Sequence, residues 1–213
     1  MTRDEMQTMV LDRLSLSSAE SAKVTQVTTL LNLQYQDLCL RLGLNKAFDT
    51  LDVTADTATV TLPADCTKIL SLRYGSRNID PVSWQEYANL YAADQSDSLS
   101  EEGTFYYFMQ SHTTIRILPI PSATAADAIS CWYLARPTAF SSGSSTPSAI
   151  PSEFHDILVE YTIYKLALAE EELGLANSAL QEALRREGAL RTWLGAFEGS
   201  DDNRLGRPAV FRR

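Results

Sequence analysis

The segment that most constrains the fold spans residues 150–172, because its apolar side chains follow two helical stripes. The first stripe contains six side chains: Phe154, Ile157, Leu158, Tyr161, Tyr164 and Leu168. Val159, Ile163 and Leu166 put apolar side chains on a second face, and Gly174 follows the segment. Spacings of three and four residues bring side chains together on one side of an α-helix. A helix that is apolar on two faces is usually covered on both, so we expect a central helix with a packing partner on each side.

Three further helices are predicted near the two ends of the chain. Residues 3–15 show a short amphipathic pattern, and residues 18–42 show a longer one that follows a capping box of Ser17 and Glu20. A final helix is expected over residues 176–197. Its stripe starts with small side chains and ends with large ones: Ala176, Ala179, Leu180, Ala183, Leu184, Leu190, Leu194 and Phe197. Helices at both ends of the sequence must meet to bury their stripes.

Between these helices the apolar period changes to two, which predicts β-strands. The expected strands are short: 58–62, 69–74, a segment at Ile79, 104–109, 113–118 and 128–134. A capping box of Ser83 and Glu86 predicts a short helix from Trp84. The last strand is apolar on both faces, so we expect it inside the sheet. The predicted fold class is therefore α+β, a helical bundle body made by both ends of the chain with an inserted, mainly antiparallel β domain.

The predicted domain boundaries follow these changes of pattern. They are N-terminal helices of the body at 1–48, the inserted β domain at 49–140, a flexible Ser-rich linker at 141–149, C-terminal helices of the body at 150–198 and an extended tail at 199–213. The tail sequence GSDDNRLGRPAVFRR has no helical period and contains two acids against four arginines. We expect it not to pack on its own chain as a regular element.

Charge and motifs disfavour several functional classes. A formal net charge of −9 argues against a nucleic-acid binder, since neutralising phosphates requires a basic face. No apolar run approaches the roughly 20 residues that cross a bilayer, and the N-terminus lacks a signal-peptide pattern, so we expect synthesis in a cytoplasm and no membrane contact.

Three widely spaced cysteines, Cys39, Cys66 and Cys131, predict buried free thiols. Because HExxH, Cys-His, P-loop and GxSxG motifs are missing from the sequence, we expect no metal and no cofactor.

One enzymatic hypothesis arises from His155, which stands beside Asp156 and close to Glu153. A histidine oriented by a carboxylate can act as a general base, so a small hydrolase is an alternative. Consecutive residues on a helix point in different directions, however, and acids are favoured in a first helical turn by the helix dipole. We therefore expect no catalytic residue in this segment.

Six segments of the chain resemble, in order and spacing, the head-to-tail adaptor proteins of tailed bacteriophages, which form a ring beneath the portal. The segments are LLNLQYQDLCLRL at 30–42, LPADCTKILSLRY at 62–74, IDPVSWQEY at 79–87, IRILPIP at 115–121, WYLARP at 132–137 and IPSEFHDILVEY at 150–161. Together they cover most of residues 20–170.

This resemblance implies a structural, non-enzymatic component of the virion neck. Family members assemble as a ring, generally of twelve subunits, on the portal protein after DNA packaging, and the β insertion faces the tail proteins below, such as a nozzle, stopper or tail tube. DNA would pass through the lumen without specific binding. The C-terminal tail would dock on the portal through Arg204, Leu205, Arg207, Pro208, Val210, Phe211, Arg212 and Arg213. Another neck or tail component of the tail-completion type is the alternative.

Overall fold

The computed structural model describes residues 1–94 and 104–202, and the chain divides into two compact units. The first unit combines Met1–Leu42 with Thr138–Arg213, and the second is the continuous stretch Gly43–Pro137. The described residues form five α-helices and a seven-stranded sheet, so the predicted α+β class is confirmed. No helix in this part of the chain is long and apolar enough to cross a bilayer.

The first unit contains four of the α-helices and a short 3-10 turn at Ser152–Phe154. The helices, numbered in chain order with α3 in the second unit, are α1 (Arg3–Arg13), α2 (Ser21–Leu42), α4 (Asp156–Ala169) and α5 (Leu173–Asp202). α1 starts at a capping box that the sequence reasoning overlooked. Thr2 Oγ1 accepts from the backbone N–H of Glu5, and the Glu5 carboxylate accepts from the backbone N–H of Thr2.

The helix α4 is the centre of this unit, as the two apolar stripes predicted. Residues 157–163 are all buried, and seven consecutive buried residues cover the whole circumference of a helix. Its packing partners are α1, α2 and α5. α4 is therefore covered on all sides along residues 157–163, whereas Leu168, which was assigned to the first stripe, is 44% exposed.

α4 ends without the glycine that follows it in sequence. Glu171 takes the left-handed conformation, with φ at 63°, and donates its N–H to Leu168 O. The next N–H, that of Glu172, reaches back to Ala167 O at 2.9 Å. This pair of bonds is a Schellman motif with glutamate at the position that glycine usually occupies. Gly174 lies instead in the first turn of α5.

One other local prediction was wrong. Ser17 does not cap α2: its hydroxyl accepts from Ala19 N in a turn of its own, and the helix begins four residues later at Ser21.

Residues 141–149, predicted to be a flexible linker, are hydrogen-bonded to α1 and α2. Gly143 O and Ser145 O accept from the first backbone N–H groups of α1, and Ala149 N donates to Tyr35 Oη. Composition alone does not show such contacts, because serine and glycine occur in both free and packed loops.

The predicted extended tail overlaps the end of α5. The helix continues to Asp202, so the first four residues of the tail, 199–202, are helical. The eight residues predicted to dock on the portal, Arg204, Leu205, Arg207, Pro208, Val210, Phe211, Arg212 and Arg213, lie outside the described residues.

The second unit is a curved sheet with one helix, α3 (Trp84–Asp94). Its strands are β1 (Lys46–Val53), β2 (Thr59–Thr61), β3 (Cys66–Tyr74), β4 (Arg77–Pro81), β5 (Phe105–Ser111), β6 (Thr114–Leu118) and β7 (Ala125–Ala135). They are arranged in the order β1-β7-β3-β4-β5-β6-β2, and only β4 and β5 are parallel among the recorded pairs. The mainly antiparallel pairing and the interior position of β7 are confirmed. The sequence reasoning missed β1, whose alternation is interrupted by polar residues.

The sheet curls around its own core, and its two terminal strands, β1 and β2, come into contact. The core side chains are Leu51, Val53, Val60, Leu62, Leu72, Ile79, Phe105, Ile115, Ile117, Ile129, Cys131, Tyr133 and Ala135. Full burial of one Leu or Ile side chain contributes about 1.5–3 kcal/mol, and every residue of this cluster belongs to the second unit. The cysteines are free, with Cys39 and Cys131 buried and Cys66 half-buried. The thiol prediction therefore holds fully for two of the three.

Candidate interaction surfaces

The most buried charge in the first unit is the carboxylate of Glu187 on α5, which is 3% exposed. Three side chains donate to it from three helices. Arg41 on α2 donates to both oxygens at 2.9 and 3.1 Å, Tyr161 on α4 donates at 2.5 Å, and Arg191 on α5 donates at 2.7 Å. The Arg41 guanidinium also lies over the Tyr161 ring. Glu187 therefore ties α2, α4 and α5 together at one point.

The electrostatic balance at Glu187 favours the charged form. Burial opposes ionisation, but the hydrogen bonds from Tyr161 and Arg191 and the charge of Arg41 outweigh it and lower the pKa of the Glu187 carboxyl. Glu160 on α4 shows the opposite balance. Its carboxylate is bound by Arg13, at 3.0 Å, yet burial dominates and raises the pKa of Glu160. One buried acid is therefore held ionised by its partners, whereas the other is only partly compensated.

The ion pairs between the two ends of the chain share one polarity. Arg13, Lys23 and Arg41 from the N-terminal helices bind carboxylates on the C-terminal helices, which are Glu160, Glu170 and Glu187 respectively. In each pair the cation lies in residues 1–42. The charges of the two chain segments that build this unit are therefore complementary.

Glu187 carried a signal in the sequence that was not used. It lies four residues after Ala183 and three before Leu190, on the buried stripe of the final helix. An acid in such a stripe is almost never fully buried unless it is paired. By contrast, Leu184 was assigned to the same stripe and is about half exposed, so that assignment was wrong.

His155 is a buried structural residue in this fold. Its Nε2 lies 2.8 Å from Ile150 O, and its Nδ1 lies 2.8 Å from the N-terminal nitrogen of Met1. The Asp156 carboxylate does not pair with His155, and its Oδ2 lies 3.0 Å from Arg186 Nη1. His155 and Asp156 therefore have separate partners, as their consecutive positions on the chain predicted.

We expect His155→Ala to lower the free energy of unfolding by about 1–2 kcal/mol, because it removes the donor for a buried carbonyl. Urea denaturation of the purified chain measures this loss. Glu153→Ala is the control, because Glu153 lies two positions earlier, belongs to the same hydrolase hypothesis and is exposed, so its substitution should change stability by less than about 0.5 kcal/mol. Wild-type stability of His155→Ala would contradict the structural role.

An aromatic patch lies on the outer face of the sheet in the second unit, across β1, β7 and β3. Phe48 and Trp132 stand opposite each other on β1 and β7, with ring centroids 5.0 Å apart. Arg73 on β3 places its guanidinium 5.5 Å from the Trp132 ring centroid, and Leu70 lies at a register shift beside them. We call these four residues the β-face patch.

The β-face patch has the composition of a protein-binding site. Phe48 is 55% exposed, and Leu70 and Trp132 are exposed as well. Aromatic residues and arginine are enriched among the residues that dominate binding energies. The sequence analysis placed Trp132 on the second apolar face of β7 but did not find its partners. Phe48 lay in the missed strand, and Arg73 and Leu70 are brought near only by the pairing of β3 with β7.

In the sequence, the aromatic run at 105–108 alternates as strand residues do, which predicts sheet core on one side and a subunit contact on the other. Phe105 is buried in the core, as expected. Phe108 instead packs against Trp84 and Tyr87 of α3, at 5.1 and 5.5 Å between ring centroids. α3 therefore covers this side of β5. Its predicted capping box is confirmed, since Ser83 and Glu86 exchange hydrogen bonds.

Among residues 1–94 and 104–202, His, Cys, Asp and Glu side chains form no group that could hold a metal ion.

Comparison with known proteins gives a family match. The family model described as SU10 adaptor protein matches residues 1–208. The matched range contains the whole second unit and almost all of the first, and it includes part of the predicted tail. Among curated proteins, no sequence matches the chain.

Proposed function

The chain belongs to the SU10 adaptor protein family, a family of phage head-to-tail adaptors, and from this premise we propose that it forms a ring under the portal that links the DNA-filled capsid to the tail. Its role as a component of the virion is structural, and its partners are other phage structural proteins. The observation that carries the proposal is the extent of the family match, which runs through both units rather than over a single motif.

The proposed division of labour follows the domain prediction. The helices of the first unit form the ring of twelve copies, the C-terminal tail docks on the portal, and the second unit faces the downstream tail protein. Ion pairs between α1, α2, α4 and α5 support the first assignment, because a ring under load requires subunits whose helices hold a fixed geometry. DNA crosses the lumen without specific binding, consistent with a net charge of −9.

The ring is tested by mixing the purified chain with the portal protein and measuring the complex by native mass spectrometry and electron microscopy. We expect a closed cyclic assembly with several copies of the chain on one portal. A complex that contains a single copy per portal, with no cyclic arrangement, would contradict the proposal.

We further propose that the β-face patch is the contact with the tail protein. Trp132→Ala should reduce tail attachment by about 10- to 100-fold, since truncation of a central aromatic anchor commonly costs at least about 2 kcal/mol. The measurement is the fraction of DNA-filled capsids that carry a tail in electron micrographs. Trp84→Ala is the matched control, because Trp84 belongs to the same unit, is 60% exposed and lies outside the patch. Equal effects of the two substitutions would contradict the assignment of the β-face patch as the contact with the tail protein.

A further inference from the structure

The first unit exposes two different helix faces, one on α2 and one on α5. Both helices pack against α4 with their buried sides. On α2, Leu33 and Leu40 are seven residues apart and exposed, and at about 100° per residue they lie roughly opposite the buried Val27, Leu31 and Leu38. On α5, Leu184 is 49% exposed and lies well off the buried line of Ala179, Ala183 and Leu190. Each helix thus presents leucine on a side turned away from the core.

The exposed face of α2 carries no charged side chain over six positions at helical spacing. These positions are Ala22, Gln26, Thr29, Leu33, Gln36 and Leu40. Leu33 is 53% exposed. Solvent-facing sides of helices usually carry charges, whereas the centres of protein interfaces are depleted in them. This composition fits a surface that is covered in an assembly.

The exposed face of α5 is uncharged over four positions and is followed on the same side of the helix by Arg191. It contains Asn177, Gln181, Leu184 and Gly188, which are all exposed. A Cβ atom added at Gly188 would meet no atom within 4 Å, so packing within the chain does not require glycine there. Glycine inside a helix lowers helix stability by about 1 kcal/mol relative to alanine, and packing within the chain does not account for this loss at Gly188.

The charges beside these faces are of opposite sign. Asp37 borders the α2 face and is more than half exposed, and its partner Arg41 is shared with the buried Glu187. Arg185, which binds Glu182, and Arg191, which binds Glu187, lie beside the α5 face and are also more than half exposed. Two α5 faces placed together would oppose guanidinium groups, but an α2 face against an α5 face opposes a carboxylate to them.

We propose that the α2 face of one copy packs on the α5 face of the next copy, and that this contact, repeated, builds the ring. A contact between two different surfaces of one protein is heterologous, and heterologous contacts close into rings when the rotation allows. The inference rests on the proposed ring and names the surface that forms it. The occupant of the α2 face is therefore a second copy of this chain.

Substitutions on the two faces test the contact. Leu33→Arg and Gly188→Leu should each reduce ring formation on the portal at least tenfold, measured by native mass spectrometry. Leu33→Arg places a cation opposite Arg185 and Arg191, and Gly188→Leu fills the space needed by the neighbouring helix. Met109→Arg is the control, because Met109 is an exposed apolar residue of the second unit outside the β-face patch, and its substitution should leave ring formation unchanged.

Folding is monitored separately, because a variant that fails to fold would also fail to assemble. Gly188→Leu should keep or raise the Tm of the isolated chain, since leucine is a better helix former and the space is open. A variant with this Tm and no ring supports the contact. Rings that form normally with Gly188→Leu and with Leu33→Arg would overturn it.

Crosslinking separates failure of the contact from failure of the ring. The full chain with Leu33→Cys and Leu184→Cys, assembled on the portal and treated with a short bis-maleimide, should give a ladder of covalent oligomers. The unsubstituted chain controls for its own three cysteines. Rings without a ladder overturn the α2–α5 contact and leave the proposed function standing. If the unsubstituted chain forms no ring with the portal, the proposed function itself is wrong.

Discussion

Glu187→Gln should lower the free energy of unfolding by about 2–4 kcal/mol, the largest stability loss that we expect from a single polar substitution in this protein. Removing one partner of a buried, hydrogen-bonded charge pair leaves the others uncompensated. Glutamine can accept through only one oxygen, and its amide nitrogen would face the guanidinium groups of Arg41 and Arg191. Arg41 is partly solvated, which keeps the loss below that of a fully buried pair. Urea denaturation at pH 7 measures the difference.

Glu160→Gln is the matched control, since Glu160 is also a buried glutamate bound by an arginine. Its pKa is raised by burial, so the ionised form is less favourable in the folded chain than in the unfolded one. Neutralising it should change stability by less than about 1 kcal/mol. Equal losses for Glu160→Gln and Glu187→Gln would contradict our account of the two environments.

The two carboxyl groups should also respond to pH with opposite signs. The pKa of Glu187 is lowered on folding, so its contribution is present above the ordinary value of 4.5 and disappears as pH falls through the folded value. The pKa of Glu160 is raised on folding, so its favourable contribution is present below 4.5 and is lost as pH rises through the folded value. The difference between wild type and Glu187→Gln should therefore shrink at acidic pH.

Deleting residues 203–213 should weaken binding to the portal at least about 100-fold. In the proposed assembly this one linear segment supplies most of the contact with the portal. The deletion begins after Asp202, where α5 ends, so we expect the Tm to change by less than about 2 °C. Pull-down of the portal protein measures binding, and thermal unfolding of the same preparation measures the Tm. Unchanged portal binding would refute the docking proposal, and a large fall in Tm would show that the segment belongs to the fold.

Substitutions within the tail distinguish charge from apolar anchoring. Val210→Ser with Phe211→Ser removes the apolar side chains, and Arg212→Gln with Arg213→Gln removes two charges while keeping side-chain length. If the arginines supply most of the energy with which the tail binds the portal, this binding should weaken as salt is raised from 50 to 500 mM, because exposed ion pairs are screened within about 10 Å at 0.1 M. A binding constant that is independent of salt would assign the anchoring to the apolar pair.

The spacing of apolar residues was sufficient to predict a helix or strand where the environment of the segment is uniform along its length. α4 was predicted from its two stripes because α1, α2 and α5 together cover residues 157–163 on all sides. β6 was found because its apolar residues alternate, and β7 because it is apolar on both faces. β1 was missed because polar residues and the exposed Phe48 interrupt the alternation that identifies a strand.

The candidate surfaces were less accessible from sequence because they join residues that are distant along the chain. Phe48, Arg73 and Trp132 meet only through the pairing of β1 and β3 with β7. The Glu187 cluster likewise depends on Arg41, which lies 146 positions away. A buried acid in a stripe signals that a partner must exist, but the identity of that partner is set by the fold.

The division of the chain has a consequence for synthesis on the ribosome. The first unit is made of Met1–Leu42 and a segment that starts at Thr138, so α1 and α2 emerge before any helix that can cover them. The roughly 95 residues between these segments take about 5–20 s to translate at about 5–20 residues per second. During that interval Val27, Leu31 and Leu38 have no partner from α4 or α5. The continuous second unit can fold first, and nascent chains stalled before α4 should therefore recruit chaperones to the first 42 residues.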